Sequence, residues 1–305
     1  MVEKLSKNFF LYLSKNKILN KGAKKWGLRL GAAQVVAGVT IPSVIEVIKG
    51  LNEKGLVCTV DHLGEFVLRK EEAIDSTKKC IETLEAISAS GVNSQLSIKL
   101  TQLGLDIDRT FCVNNVRQIL DAARKTNNFV QIDMEDHSHY YQTLSILEEL
   151  RKTYDNVGTV LQAYLYSGKK DLAGLRGVPL RLVKGAYKES AEVAFQQKDQ
   201  IDKNYLEMIK QHLLTGSYTA IASHDHRIIE KVMKFCKQWN IPKTQFEFQM
   251  LYGFRTELQE KIAKEGYTMR VYVPFGHDWY GYFMRRLAER PQNVSFALKG
   301  LFSKK

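Results

Sequence analysis

Polar and charged residues recur at the carboxyl ends of short apolar runs, where they could form one functional site. In chain order they are Asp61, Lys99, Asp133-Met134-Glu135-Asp136, Gln162, Arg181, Lys184, Ser223-His224-Asp225-His226, Gln249 and Tyr272. An unpaired charge within or beside an apolar strand is energetically expensive. The charges of Lys99, Asp133 and Arg181 are therefore better explained by a functional site than by strand ends that simply reach solvent.

Two adjacent arginines near the end of the chain could bind an anion. Arg285 and Arg286 lie on a predicted last barrel helix, and helical spacing places Tyr282 and Glu289 on adjoining faces. Neighbouring guanidinium groups bind a carboxylate or phosphate with paired hydrogen bonds. Paired arginines on a helix are also common on solvated surfaces, so the pattern alone leaves both interpretations open.

Histidine pairs offer a weaker case for a metal ion. His137 and His139, and again His224 and His226, alternate in a way that could direct two imidazoles at one metal. Neither pair has a third ligand placed by spacing, so no metal site is predicted. Ser223, His224 and Asp225 are contiguous, and adjacent side chains point in different directions, which argues against a catalytic triad.

Eight short β-branched or aromatic runs alternate with helical patterns and must position these residues. The predicted strands are Leu56–Asp61, Ser94–Leu100, Phe129–Met134, Thr159–Tyr164, Leu180–Val183, Thr219–Ser223, Gln245–Met250 and Met269–Val273. Helical periodicity is clearest over Glu71–Ala89, before Gly91, and over Ile228–Trp239. Eight such units predict an α/β fold of the (β/α)8 barrel type, in which strand ends converge on one mouth.

The barrel prediction has one structural competitor, a doubly wound sheet. The first strand is not followed by the glycine pattern of a dinucleotide-binding domain, which weighs against that alternative. We expect an N-terminal helical segment over residues 1–55, a catalytic barrel over 56–292 and a basic tail over 293–305.

Composition and charge restrict the class of protein. The 305 residues are 44% hydrophobic and carry a net charge of +12, of which residues 1–30 supply eight basic residues and one acid, or +7. With no basic stripe through the rest of the chain, nucleic-acid binding is disfavoured, whereas docking of this segment on a membrane stays open.

Location follows from the cysteines and the apolar runs. Four cysteines without C-x-x-C spacing predict reduced thiols in the cytoplasm. The apolar runs are shorter than the roughly 20 residues that span a bilayer. We therefore expect a cytoplasmic protein, with possible contact at the inner face of the membrane.

Several motifs resemble those of one enzyme family. They are S-I-K-L-T-Q-L-G (97–104), I-D-M-E-D (132–136), L-Q-A-Y-L (161–165), R-L-V-K-G-A-Y (181–187), F-E-F-Q-M-L-Y-G (246–253), R-V-Y-V-P-F-G (270–276) and Y-F-M-R-R-L-A-E-R (282–290). In this order they resemble the signature blocks of proline dehydrogenase, over roughly residues 56–292.

The resemblance implies a distorted (β/α)8 barrel with FAD as cofactor. It also implies oxidation of L-proline to Δ1-pyrroline-5-carboxylate, with hydride transferred to flavin N5 and electrons then passed to a membrane quinone. Because no aldehyde dehydrogenase region follows in this sequence, we expect a separate pyrroline-5-carboxylate dehydrogenase to carry out the next step.

The same resemblance implies roles for the residues at the mouth. Arg285, Arg286 and Lys99 match the cations that bind the proline carboxylate. Asp133 matches the active-site aspartate, which we expect to balance these cations rather than to remove a proton. The residues matched to the proline ring and to a gate over the substrate are Tyr272, Tyr282, Leu251 and, as the gate that pairs with Arg285, Glu65.

Cofactor residues are implied in the same way. Arg181 matches the arginine beside flavin N5, where a positive charge favours the reduced flavin. The other matched positions are Met134, Gln162, Lys184, Gly185, Ala186, Ser223 and His224. One block departs from the family, which usually has Ala-Thr-His-Asn where this chain has Ala-Ser-His-Asp (222–225). The substitution at Asp225 adds a charge near an anionic cofactor.

Two alternatives belong to other functional classes. A metal-dependent barrel hydrolase would use His224, His226 and Asp133, and it predicts bound zinc without a chromophore. A basic protein that binds a membrane or nucleic acid predicts neither. The absorption spectrum of the purified protein separates these alternatives from a flavoenzyme.

Overall fold

Eight parallel strands close into a barrel in chain order in the computed structural model, which describes residues 32–64 and 67–289, with side chains as far as Met284. The strands are β1 Val57–His62, β2 Ser94–Ile98, β3 Val130–Ile132, β4 Val157–Gln162, β5 Leu180–Val183, β6 Thr219–Ala222, β7 Phe246–Leu251 and β8 Met269–Phe275. The barrel closes where β8 pairs with β1, from Val57 opposite Arg270 to His62 opposite Phe275.

Helices separate the strands, as the predicted (β/α)8 fold requires. They are α1 Ile41–Glu53, α2 Lys70–Ser90, α3 Arg109–Lys125, α4 His137–Arg151, α5 Gly168–Leu172, α6 Lys198–Leu214, α7 His226–Gln238, α8 Thr256–Lys264 and α9 Trp279–Glu289. Short 3-10 turns occupy Ala32–Gln34, Thr101–Leu103, Ala173–Leu175 and Lys243–Gln245. The barrel prediction is confirmed.

Local chemistry sets the ends of the two helices that periodicity predicted. Helix α2 ends at Gly91, whose φ of 66° is the left-handed conformation that glycine adopts without a steric penalty. Helix α7 begins after Asp225, whose side chain accepts a hydrogen bond from the Arg227 amide. Each helix begins one or two residues before its predicted start.

Strand β3 is shorter than predicted, and this difference matters for the site. It ends at Ile132 instead of Met134, although the Asp133 amide still donates to the Ile98 carbonyl at 2.8 Å. The chain then turns toward α4, with the Gln162 amide donating to the Met134 and Glu135 carbonyls at 3.4 and 3.1 Å. Asp133 is thereby held at the mouth.

The first and last of the described α-helices pack against different parts of the chain. Helix α1, whose start is capped by Thr40 and Ser43, contacts β1, β8 and α2. Helix α9 instead forms a separate apolar cluster with the chain around Ala32 and with Leu63. The predicted division at residues 55 and 292 stays a prediction.

The N-terminal part of the described chain passes the carboxyl end of β8. Ala37 donates to the Pro274 carbonyl at 2.9 Å, and Gly276 donates to the Gly38 carbonyl at 3.0 Å. The backbone of Gln34 lies so close to Gly253 that a Cβ there would be 1.7 Å from the Gln34 carbonyl oxygen. Only glycine fits this contact, since its φ is also +78°.

All four cysteines are buried free thiols. Burial raises the pKa values of Cys58, Cys80 and Cys112 to about 12, so these thiols pack as small apolar groups. Within the residues described, no helix combines the length and the apolar composition that a membrane span needs.

Candidate active site

Four of the predicted site residues form one charged network inside the barrel. The Arg181 Nη1 donates to Asp133 Oδ1 at 2.6 Å, and the Tyr272 hydroxyl donates to Asp133 Oδ2 at 2.7 Å. The Lys99 ammonium lies 3.5 Å from Asp133 Oδ2 and 3.5 Å from the Tyr272 hydroxyl. These side chains come from β5, β8 and the residues that follow β2 and β3, so barrel closure brings them together.

Two further residues of the network had no role implied by the family motifs. Asp61 accepts from the Lys99 ammonium at 2.7 Å, a shorter distance than that ammonium has to Asp133, and Ser97 donates to Asp133 Oδ1 at 2.7 Å. Asp61 had already stood out as a charge near a strand end. Ser97 could have been found from the two-residue period of β2, because it faces the same way as Lys99.

The network keeps Asp133 ionised. Burial on its own would raise the pKa of this carboxyl, but Arg181, Lys99 and the hydrogen bonds from Ser97 and Tyr272 lower the pKa below its usual value. For the phenol of Tyr272, burial and the nearby Asp133 and Asp61 carboxylates raise the pKa well above its usual value. Asp133 is therefore an acceptor of hydrogen bonds and Tyr272 a donor.

A second group of residues lies on the β3, β4 and β5 side of the mouth. Gln162 donates to the backbone of Met134 and Glu135, while its Oε1 is buried with no partner among the described residues. The Nε of Arg181 is likewise buried and unpartnered within the described part of the chain. An acceptor and a donor left unpaired on adjacent strands fit a heteroaromatic group with complementary polar edges, as in an isoalloxazine.

The predicted residues that follow β5 have separate environments. The Lys184 ammonium forms an ion pair with Asp202 at 2.5 Å and lies 3.7 Å from Asp225. Gly185 has a φ of +108°, and a Cβ there would be 2.2 Å from the Tyr164 ring, so glycine allows this close packing. Ala186 is exposed.

The departure at Asp225 is compensated by neighbouring groups. Burial would raise the pKa of Asp225, but the Arg227 amide and the charges of Lys184 and Arg227 lower it. Lys198 also lies 4.0 Å away. The additional carboxylate thus caps α7 and pairs with cations.

The residues that follow β6 are connected to the end of β7. The hydroxyl of Ser223, a buried residue, accepts from the Asp225 amide at 3.1 Å. The Leu251 amide donates a hydrogen bond to His224 Nε2 at 3.0 Å, so the neutral imidazole carries its proton on Nδ1. This contact places Leu251 at the mouth beside β8, where Leu251 pairs with Tyr272.

Some predicted residues lie elsewhere or beyond what is described. Tyr282 is buried in the aromatic cluster of α9. Arg285 and Arg286 belong to α9, but their side chains, and the whole of Glu65, fall outside the described residues. His139 is held by Asp136 at 2.7 Å and Asp106 at 2.8 Å. In the part of the chain that the structure describes, no three histidine, cysteine or acidic side chains are grouped as metal ligands.

Comparisons with known proteins identify the family of this chain. The sequence profile of the proline dehydrogenase family matches residues 44–299. Proline dehydrogenase 2 of Bacillus subtilis strain 168 is 50% identical over 302 residues, which cover 98% of this chain and 100% of the relative. Proline dehydrogenase of Deinococcus radiodurans is 41% identical over 285 residues, or 91% of each chain.

A solved structure adds the fold. The crystal structure of proline utilization A from Bdellovibrio bacteriovorus, inactivated by N-propargylglycine, superposes with a TM-score of 0.80 at 29% identity. The match covers 90% of this chain and 34% of that longer protein. The family profile covers most of the chain, and stand-alone relatives are up to 50% identical to it. The chain therefore belongs to the proline dehydrogenase family.

Proposed function

We propose that this proline dehydrogenase uses FAD to oxidise L-proline to Δ1-pyrroline-5-carboxylate and passes the electrons to a membrane quinone. The observation that carries the proposal is the buried network of Lys99, Asp133, Arg181 and Tyr272 beside the unpaired polar atoms of Gln162 and Arg181. Such a mouth combines an anion-binding side with a side suited to a planar cofactor.

The substrate carboxylate would bind to the cations on one side of the mouth. Lys99 supplies one ammonium group, and its side chain is only 10% exposed, so its charge acts in a poorly solvated environment. Arg285 and Arg286 would supply paired guanidinium donors to the same anion. Tyr272, Leu251 and Tyr282 would enclose the ring, and Glu65 would pair with Arg285 as a gate.

Asp133 would orient its neighbours and not act as a base. Its carboxylate accepts hydrogen bonds from Arg181, Ser97 and Tyr272, and its lowered pKa disfavours taking up a proton. The same contacts hold Arg181 in place, with its guanidinium 5.3 Å from the centre of the Tyr272 ring. Arg181 would thus present a fixed positive charge to the cofactor.

FAD, when bound, supplies the acceptor of the hydride that leaves the ring carbon next to nitrogen, on the side away from the carboxylate. Met134, Gln162 and Arg181 would border its isoalloxazine. Lys184, Gly185, Ala186, Ser223 and His224 would border the rest of the cofactor. The proline amine must be neutral, since a protonated nitrogen has no electron pair for the new C=N bond.

Contact with a membrane would bring the enzyme to a quinone dissolved there. Residues 1–30 carry a net charge of +7, and residues 290–305 contain four basic residues and no acid. The described chain around Ala32, which follows the first of these segments in the sequence, packs against α9, which precedes the second. We propose a cytoplasmic enzyme that docks on anionic lipid, with a separate pyrroline-5-carboxylate dehydrogenase as the consumer of its product.

The absorption spectrum tests this function. Purified protein should show flavin bands that bleach when L-proline is added without oxygen, and a lipid-soluble quinone should restore them. N-propargylglycine, the inactivator named for the Bdellovibrio protein, should inactivate the enzyme more slowly when L-proline is present. A colourless protein, or flavin bands that L-proline leaves unchanged, would contradict the proposal.

A further inference from the structure

Asp61 is a buried carboxylate that the proposed reaction does not use directly. It lies in β1, only 1% exposed, and its Oδ2 is 2.7 Å from the Lys99 ammonium. We propose that Asp61 is a positioning residue, which holds Lys99 in the orientation that binds the carboxylate of the substrate. This inference rests on the proposed role of Lys99 in substrate binding.

The strand that carries Asp61 makes it a rigid anchor. Asp61 lies opposite Ser97 of β2 and opposite Pro274 of β8, so both neighbours in the barrel fix its backbone. Lys99 comes just after the end of β2 and has a long side chain with four rotatable bonds. A carboxylate on a paired strand can hold such a side chain in one rotamer. A lysine without this partner would lose rotational entropy when it binds the substrate.

The second oxygen of Asp61 indicates that the carboxylate serves Lys99 in particular. Its Oδ1 is buried and has no hydrogen-bond partner in the described parts of the chain. Asp133, by contrast, already accepts hydrogen bonds from Arg181, Ser97 and Tyr272. The two carboxylates therefore divide the two cations between them, Asp61 with Lys99 and Asp133 with Arg181.

This division explains why Asp61 matters for the substrate. If the charge of Asp61 is removed, Asp133 is the other carboxylate of the network, with its Oδ2 3.5 Å from the Lys99 ammonium. Coulomb attraction in a poorly solvated interior would draw the ammonium toward Asp133. Lys99 would then turn from the substrate carboxylate, and Asp133 would share its charge between two cations.

The test is Asp61→Asn in the FAD-loaded, full-length enzyme. We expect KM for L-proline to rise at least tenfold, while kcat changes less than threefold. The inhibition constant of tetrahydrofuran-2-carboxylate, a ring carboxylate that lacks the amine and cannot be oxidised, should rise by the same factor. Asp61→Glu keeps the charge, so its KM should lie between those of the wild type and Asp61→Asn.

A matched control separates positioning from a general loss of stability. Glu247 is as deeply buried as Asp61 and pairs with Arg270 at 2.7 Å, toward the amino-terminal end of the barrel. Glu247→Gln removes the same kind of ion pair away from the mouth. It should lower the melting temperature but leave KM within twofold of the wild-type value.

A double variant tests whether Asp61 acts through Lys99. Lys99→Met should raise KM, and adding Asp61→Asn to it should raise KM no further, because the side chain that Asp61 orients is gone. The Lys99→Met background also has no buried lysine at position 99 that could lose its counter-ion. The double variant can therefore be measured even where Asp61→Asn alone is unstable.

Three results would overturn the inference: an unchanged KM in Asp61→Asn, an equal rise in KM in both backgrounds, or an equal rise in Glu247→Gln. These results differ from a failure of the proposed function, in which L-proline would not reduce the flavin of the wild type at all.

Discussion

Replacing Asp133 by asparagine tests the centre of the network. Asparagine has the same shape, but its amide group would present a donor where Asp133 now accepts from Arg181 at 2.6 Å or from Tyr272 at 2.7 Å. The Arg181 side chain is 6% exposed, so the change leaves a buried cation without its direct counter-ion. Breaking a buried ion pair from one side costs about 3–5 kcal/mol.

The expected loss appears both in stability and in rate. At roughly 2 °C per kcal/mol for a chain of this size, the melting temperature of Asp133→Asn should fall by about 6–10 °C. Because Arg181 would no longer be held in place, the rate of flavin reduction at saturating L-proline should fall at least tenfold. Differential scanning fluorimetry measures the first quantity, and anaerobic stopped-flow absorbance measures the second.

The pH dependence of this stability difference has a definite sign. The pKa of Asp133 is lower in the folded protein, because the cations and hydrogen bonds outweigh burial. Its contribution is therefore fully present above the unfolded value of about 3.9 and is lost only as the pH falls through the folded value. The difference between the two proteins should stay constant from pH 5 to 9.

Glu247→Gln is again the control, since it should lower stability without slowing flavin reduction. A melting temperature within 2 °C of the wild type, together with an unchanged reduction rate, would refute the assigned role of Asp133.

Four further predictions concern other parts of the protein. Arg286→Met should raise KM for L-proline at least tenfold with FAD still bound, since a charge-assisted hydrogen bond contributes about 1.5–3 kcal/mol; steady-state kinetics and the flavin spectrum check it. The rate of flavin reduction should rise with pH to a plateau, because the amine must be neutral, and a fall between pH 6 and 9 in stopped-flow traces would contradict this. Burial lowers the pKa of His212 to about 4, so its contribution to stability is complete above pH 6.5 and falls by about 3 kcal/mol as the pH drops to 4. The free energies of unfolding of the wild type and His212→Asn, measured with urea, should therefore approach each other by that amount between pH 6.5 and pH 4. Deleting residues 1–25 should abolish co-sedimentation with anionic liposomes, which high salt should also weaken in the full chain, and a full chain that never sediments would rule out docking.

The sequence alone determined the barrel and much of its mouth. Alternation of apolar runs with helical periodicity predicted eight strand–helix units, because burial on both faces of a parallel sheet leaves a local pattern. Barrel topology then required that Lys99, Asp133, Arg181 and Tyr272 converge, since each lies near the carboxyl end of its strand or just beyond it. The end of α2 at Gly91 could also be predicted locally, because a left-handed residue that ends a helix is most often glycine.

Only the tertiary structure decided how the charges are paired. Lys99 is closer to Asp61 than to Asp133 because of the register between β1 and β2. This register is a property of the folded sheet, so the local sequence does not show which of the two carboxylates lies nearer to Lys99. The ion pair of Lys184 with Asp202 likewise joins residues 18 positions apart across the loop before α6. Helix α9 packs against the chain around Ala32 because their apolar faces meet only in the folded protein. Helical periodicity predicts that a face is buried, but the surface that buries it depends on distant parts of the chain.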